Sequence, residues 1–330
     1  MFKFVRPIIY VCGILSLIMT LLMLCVSAAA WAWADPELSV FLYSAAIMAT
    51  LGVAMVVFCR SGKFNLVSRQ LYLLTSASWL MMSLGGALPL FLSHYDVAFT
   101  DAWFEAVSGI TTTGSTVFSG LEKLPSSLLL WRSILQWLGG LGVIGMAVSI
   151  LPFLRVGGMR LFHTESSDWS DKSMPRIQTL ARALLITYLT ITAACTLSYW
   201  LAGMSLFDAV NHAMTTVSTG GFATDDRSMG RFGSGVLWIA TAFMLLGAVP
   251  FTMIIGFARR PRLATLNNQQ VIGLLAIVAA VTALLTFYLI FQGSYSPFEA
   301  LTQSIFNLVS VITTTGYASA DYTLWGPFSV

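Results

Sequence analysis

Three short strings combine threonine or serine with glycine in a chain that is otherwise strongly apolar: GITTTGSTV at 109–117, TVSTGGFAT at 216–224 and VITTTGYAS at 311–319. β-Branched threonine favours extended backbone, and glycine admits positive φ and close approach, so successive carbonyl oxygens in such a string can point to one side. A ring of these oxygens can replace the hydration shell of a cation. The glycines that recur are Gly114, Gly220 and Gly316. Threonine between membrane helices is ordinarily just a packing residue; three copies in one chain point beyond packing to a shared path.

The strings must be positioned by membrane helices. Of the 330 residues, 57% are apolar and 9% charged, too little polar surface to coat a soluble globule of this size. Uncharged apolar runs occupy 7–34, 38–59, 70–93, 133–154, 183–207, 232–258 and 263–291. Each exceeds the roughly 20 residues that cross about 30 Å of hydrocarbon, so at least seven spanning helices are expected. The first run is longer than the apolar core of a cleaved signal peptide, roughly 7 to 15 residues. Trp31 and Trp33 at its end suit an interfacial belt.

Charge fixes the topology. With the N-terminus in the cytoplasm and each string entering and leaving from the outer side, all of the 17 lysines and arginines fall inside except Lys123, Arg132, Arg227 and Arg231. All of the 14 acids fall outside except Glu165, Asp168 and Asp171, and such an outer face concentrates cations near the mouth. If the strings crossed the membrane instead, the basic loops after 154 and after 258 would lie on opposite faces. The segment 101–112, at about 1.5 Å per residue, reaches only about half of the hydrocarbon depth. It enters and turns back.

The strings belong to an internal repeat. WFEAV at 103–107, LFDAV at 206–210 and PFEAL at 297–301 each precede one, and FEAVSGITTTG (104–114) matches FNLVSVITTTG (306–316) at eight of eleven positions. The unit is helix, inward half-helix, polar string, helix. Each half-helix would aim the negative end of its dipole at the membrane centre, which favours a cation there. Glu105, Asp208 and Glu299 fall near the opposite, positive end, and Ser205 with Asp208 and Ser296 with Glu299 have capping-box spacing, with Pro297 in the first turn. Capping is the preferred role for these acids over direct ion binding.

Other chemistry finds little support. Cys12, Cys25, Cys59 and Cys195 lie in apolar segments with no pairing motif, and His94, His163 and His212 form no ligand cluster. Gly139, Gly140, Gly142 and Gly145 suit close helix packing. There are no paired intramembrane acids, no HExxH and no serine with an evident base, so an embedded enzyme is disfavoured. The scattered basic residues exclude a nucleic-acid stripe. The rival transport reading is a cation-coupled secondary transporter with broken helices, but such folds often carry inverted repeats and these units run in one direction.

The motifs TTTGST, STGGF and TTTGYA, with QWLGGLGVIGMAVSILP at 136–152, GGMRLF at 157–162 and MPRI at 174–177, resemble the superfamily of Trk, Ktr and HKT potassium transporters, above all its bacterial TrkH-type subunits. The resemblance covers essentially the whole chain. It implies an all-α membrane protein of tandem potassium-channel-like pore units, with a hairpin over 1–65, pore units over 66–160 and 161–262 (the latter with a cytosolic loop), and an incomplete third over 263–330. It implies a potassium filter made by Thr111, Thr112, Thr113 and Gly114, by Val217, Ser218, Thr219 and Gly220, and by Thr313, Thr314, Thr315 and Gly316. In plant relatives a serine in place of the first filter glycine goes with sodium preference, so Gly114 implies potassium. No cofactor is implied. The implied setting is the bacterial inner membrane, with lipid around the chain, a homodimer, and a cytosolic nucleotide-binding regulatory subunit of the TrkA type. The basic loops 155–182 and 259–262 are the expected contact with that subunit. The family pattern also has a fourth filter and a gating loop, and neither occurs in these residues, which implies a truncated chain.

Overall fold

A computed structural model describes residues 2–60, 68–150, 173–259, 268–293 and 295–326. Expectations that rest on 155–172, on 260–262 and on His163 lie outside the described residues. The described chain is helical, with no strand among the described residues.

The chain forms two compact units, one of residues 1–111 and 124–182, the other of 112–123 and 183–330. The first unit opens with a hairpin of α1 (Phe2–Ala32) and α2 (Leu38–Cys59), followed by α3 (Ser68–Phe91), α4 (Phe99–Ile110) and α5 (Ser126–Ile150). The turns at one end of this unit are tied by carboxylates. Asp35 accepts from Glu37 N at 2.9 Å and from Ser127 N at 3.0 Å, and the buried Glu37 accepts from His94 N at 3.2 Å. Below them Trp131 of α5 donates through Nε1 to Gly86 O of α3 at 2.8 Å, and Phe41 of α2 meets its ring edge-on at 5.9 Å. A buried indole needs such a partner for its N–H.

The second unit contains the first string from Thr112 onward, then α6 (Ser173–Leu201) from Ala183 onward, α7 (Leu206–Val217), α8 (Ser234–Ala248), α9 (Phe251–Arg259), α10 (Gln269–Phe291) and α11 (Pro297–Ile312). Ser205 accepts from Asp208 N at 3.0 Å at the start of α7. Ser296 accepts from Glu299 N at 3.4 Å at the start of α11, where Pro297 occupies the first turn and gives up no needed donor. In both, the serine hydroxyl caps the helix at the spacing read from the sequence.

Among the described residues five helices are long and apolar enough to span a membrane: α1, α2, α3, α6 and α10. In α10 only 17% of the most apolar stretch is buried, while Phe287 and Phe291 are 72% and 86% exposed. An exposed apolar surface of that kind suits the hydrocarbon of a membrane.

The run at 232–258, expected as one spanning helix, is instead two helices that meet at 99°. The cause is Pro250. Its ring drives Val249 into an extended conformation (φ −77°, ψ 138°), and its missing N–H removes a helical hydrogen bond. The run at 133–154 lies in α5 as far as Ile150, and the rest falls outside the described residues.

Candidate functional site

The half-helices α4, α7 and α11 carry 12, 12 and 16 residues, roughly 18 to 24 Å of rise, against about 30 Å of hydrocarbon. Each ends in the same way. Thr111, Ser218 and Thr313 cap them, and the Thr111 and Thr313 hydroxyls donate back to Val107 O and Val309 O, both at 2.7 Å. The next residue in every string is a threonine in the left-handed region: Thr112 at φ 56°, Thr219 at 51° and Thr314 at 59°. A β-branched residue there costs about 1–3 kcal/mol, and such strain concentrates at ligand clamps and active sites. Two residues on stands a glycine with positive φ: Gly114 at 82°, Gly221 at 77° and Gly316 at 83°.

This register differs by one residue from the sequence expectation for the second string. Val217 is the last helical residue of α7, and Gly220 occupies the place of Thr113 and Thr315. The equivalent of Gly114 and Gly316 is Gly221. Hydrogen bonds agree, because Thr215 O accepts from Gly220 N (2.8 Å) and Gly221 N (3.4 Å), as Ser310 O accepts from Thr315 N (2.9 Å) and Gly316 N (3.3 Å). The helix exit sets the count: one capping residue, one left-handed residue, one further residue, then the glycine. In STGG the sequence offers two glycines and no means of choosing.

Within the second unit the strings converge head to tail. A methyl group placed on Gly114 would overlap Gly220 O and come within 3.6 Å of Thr315 O. One placed on Gly221 would overlap Thr315 O and come within 2.9 Å of its carbonyl carbon. Each glycine therefore receives the carbonyl that precedes the next string's glycine, first to second and second to third. Around Gly316 no atom of the described residues lies within 4 Å of the corresponding point. Oxygens gathered in this way are hard, neutral dipolar ligands, suited to an alkali cation rather than to a transition metal. No group of three histidine, cysteine, aspartate or glutamate side chains arranged to hold a metal ion occurs among the described residues.

Asp208, Asp225 and Asp226 are structural partners. Asp226 accepts from Gly120 N at 2.6 Å and Leu121 N at 3.0 Å, tying the exit of the first string to that of the second. Met229 N donates to Ala318 O at 3.0 Å and continues the tie to the third. Asp208 accepts from Thr224 Oγ1 at 2.7 Å and pairs with Arg231 at 2.5 Å. Asp225 accepts from Arg227 Nε and Nη2, each at 3.0 Å, and its carboxyl is held down at about 2, first by these hydrogen bonds and then by the charges of Arg227 and Arg231. A carboxylate occupied by arginine contributes far less free negative field than the raw acid count implies.

The three acids expected near the positive ends of the half-helices do not share a depth. Asp208 and Glu299 are each the third residue of their helix, but Glu105 is the seventh of the 12 in α4. Glu105 is fully buried and takes both Nε and Nη2 of the buried Arg132, each at 2.7 Å from Oε1. Counted back from the caps, Glu105 matches His212 of α7 and Asn307 of α11. Asn307 donates to Ser319 Oγ at 2.8 Å and accepts from Ser319 N at 3.2 Å, holding the exit of the third string. His212 Nδ1 lies 2.9 Å from Asp208 O.

Two glycines of the following helices lie against the half-helix ends, each 13 residues into its helix: Gly139 from Ser126 in α5 and Gly247 from Ser234 in α8. A methyl group on Gly139 would overlap Ile110 O, and one on Gly247 would lie 3.2 Å from Thr219 Cγ2. Gly139 thus serves close packing, as its sequence context implied. The contributions of Arg132, Asp226 and Gly221 escaped sequence reasoning, since a lone arginine 27 residues from its partner carries no periodic signal.

The profile of the family described as "TrkH: Cation transport protein" matches residues 37–330. The chain is 45% identical over 322 residues to the Trk system potassium uptake protein TrkI of Halomonas elongata, covering 97% of this chain and 65% of that protein. It is 35% identical to the Trk system potassium uptake protein TrkG of Escherichia coli, over 97% of this chain and 67% of that one. The crystal structure of the potassium transporter TrkH from Vibrio parahaemolyticus superposes with a TM-score of 0.87 at 33% identity, over 98% of this chain and 68% of that chain. The chain thus spans about two thirds of the length of these relatives. Its strings, half-helices and spanning helices are those of a multi-span membrane protein, and the chain belongs to the TrkH family of cation transport proteins.

Proposed function

We propose that the protein carries potassium ions into the bacterial cell across the cytoplasmic membrane, as the ion-translocating subunit of a Trk-type system. The observation that carries this reading is the convergence of Gly220 O and Thr315 O on Gly114. The filter consists of Thr111 to Gly114, Ser218 to Gly221 and Thr313 to Gly316, whose backbone oxygens take the place of water around the ion. The head-to-tail order supports a fourth string of the same form seated against Gly316, which would close the ring. The N-terminus is cytoplasmic. A second copy of the chain and a nucleotide-binding regulatory subunit of the TrkA type complete the system, the latter at the basic loops 155–182 and 259–262.

Among the described residues, the broken pair α8 and α9 is a feature shared with a coupled carrier. Imposing and then collapsing a proton or sodium gradient across proteoliposomes separates the readings. A pore follows the potassium gradient and voltage alone, whereas a carrier stops. The filter itself is tested by Gly114→Ser in the full-length protein, in a strain lacking its own potassium uptake. We expect weaker discrimination of potassium from sodium, because the added side chain overlaps Gly220 O. Unchanged discrimination would remove Gly114 from the filter.

A further inference from the structure

The residue that follows the filter glycine differs in each string. It is Ser115, exposed, in the first; Phe222, buried, in the second; and Tyr317, buried at 1% exposure, in the third. Only the tyrosine can both fill space and hydrogen-bond through its tip. Its hydroxyl lies 2.5 Å from Thr215 Oγ1 and 3.2 Å from Thr216 Oγ1, and donates to His212 O at 3.2 Å. All three partners belong to α7, the half-helix of the neighbouring string. Thr216 Oγ1 is in turn 2.8 Å from the hydroxyl of Tyr199 on α6. Four buried hydroxyls thus form a chain from a spanning helix, through the second half-helix, to the third string. A phenol has one proton and accepts from two donors at most, so with that proton on His212 O both threonine hydroxyls donate to the Tyr317 oxygen.

The other end of Tyr317 is also fixed. Ser310 Oγ of α11 donates to Tyr317 O at 2.7 Å. The residue is therefore clamped between its own half-helix and the neighbouring one, directly after Gly316. We infer that Tyr317 is a positioning residue for ion selection: its hydroxyl, held by Thr215 and Thr216, fixes how far the third string stands from the ion path. The clamp makes no contact with the ion. It resists the inward or outward shift of the Gly316 backbone that would suit a smaller or larger cation. This inference rests on the proposed filter.

The test is Tyr317→Phe in the full-length protein reconstituted in liposomes, with uptake of potassium, rubidium and sodium measured across concentration. Phenylalanine keeps the ring and removes only the tie. A hydrogen bond of ordinary net strength corresponds to about threefold to tenfold in an equilibrium, so we expect potassium-over-sodium discrimination to fall by about that factor, and by more than the maximal rate. Thr215→Val should give the same loss, and the double variant no more than either single one. If Tyr317→Phe yields too little folded protein, Thr215→Val decides by the same readout. Loss of rate with discrimination intact would overturn the inference and leave a merely structural residue. Relaxed discrimination in Gly114→Ser but not in Tyr317→Phe or Thr215→Val would overturn the clamp and spare the filter. If none of the three alters discrimination, both fall.

Discussion

Replacing Arg132 with methionine should be among the most damaging single changes in the first unit, and replacing its partner as well should undo much of the harm. Arg132 and Glu105 are 1% and 0% exposed, and two guanidinium nitrogens converge on one carboxylate oxygen at 2.7 Å. Without Arg132 the carboxylate must either remain charged without its cation or take up a proton, and both routes are uphill. Breaking such a pair costs about 3–5 kcal/mol, whereas exchanging both members for neutral groups of similar size is often close to neutral. At about 2–4 °C per kcal/mol, Arg132→Met should lower the apparent unfolding midpoint of the detergent-solubilised protein by on the order of 10 °C. Glu105→Gln/Arg132→Met should recover more than half of that loss. The assay is a thermal scan with tryptophan fluorescence, run at one scan rate for the double-mutant cycle. Two small single effects, or a double variant as damaged as the sum, would refute the view that the pair is a buried, mutually dependent unit.

Three further outcomes follow from the same geometry. Gly139→Ala should destabilise by about 1–3 kcal/mol because Ile110 O stands in the way, while Gly247→Ala should cost less because only a threonine methyl must give; paired melting curves measure the difference. The Asp225 tie contributes stability above the usual carboxylate range near pH 4 and loses it as pH falls through about 2. The midpoint difference between the unaltered protein and Asp225→Asn should therefore shrink as pH drops from 5 toward 2, and a constant difference would contradict the assignment. Ser296→Ala removes the side-chain cap of α11 and should lower stability by about 1 kcal/mol, read as a shift in the same midpoint.

Much of the site was legible because its parts obey local rules. Short amphipathic segments that cannot cross the bilayer, serine three residues ahead of an acid, and glycine where the backbone turns positive all follow from a few neighbouring residues, and each is found at α7 and α11. The gapless match of 104–114 to 306–316 even places Glu105 opposite Asn307, the equivalence that the helix caps give. What failed depends on longer reach or on degeneracy. STGG contains two glycines, and only the exit of α7 at Val217 decides for Gly221. Proline alone does not forecast a break, since Pro7 and Pro89 lie within α1 and α3 whereas Pro250 divides α8 from α9. Asp208, Asp225 and Asp226 read from sequence as part of a free negative field, but Arg227, Arg231 and the backbone of 120–121 occupy them.

The central claim is that backbone oxygens of the strings hold the transported ion. Diffraction from crystals of the full-length protein grown in rubidium, recorded at the rubidium absorption edge, tests it most directly. Anomalous density is expected beside Gly220 O and Thr315 O, level with Gly114, with its loss on exchange into sodium. Rubidium density found only at the outer carboxylates, with none among the strings, would contradict it.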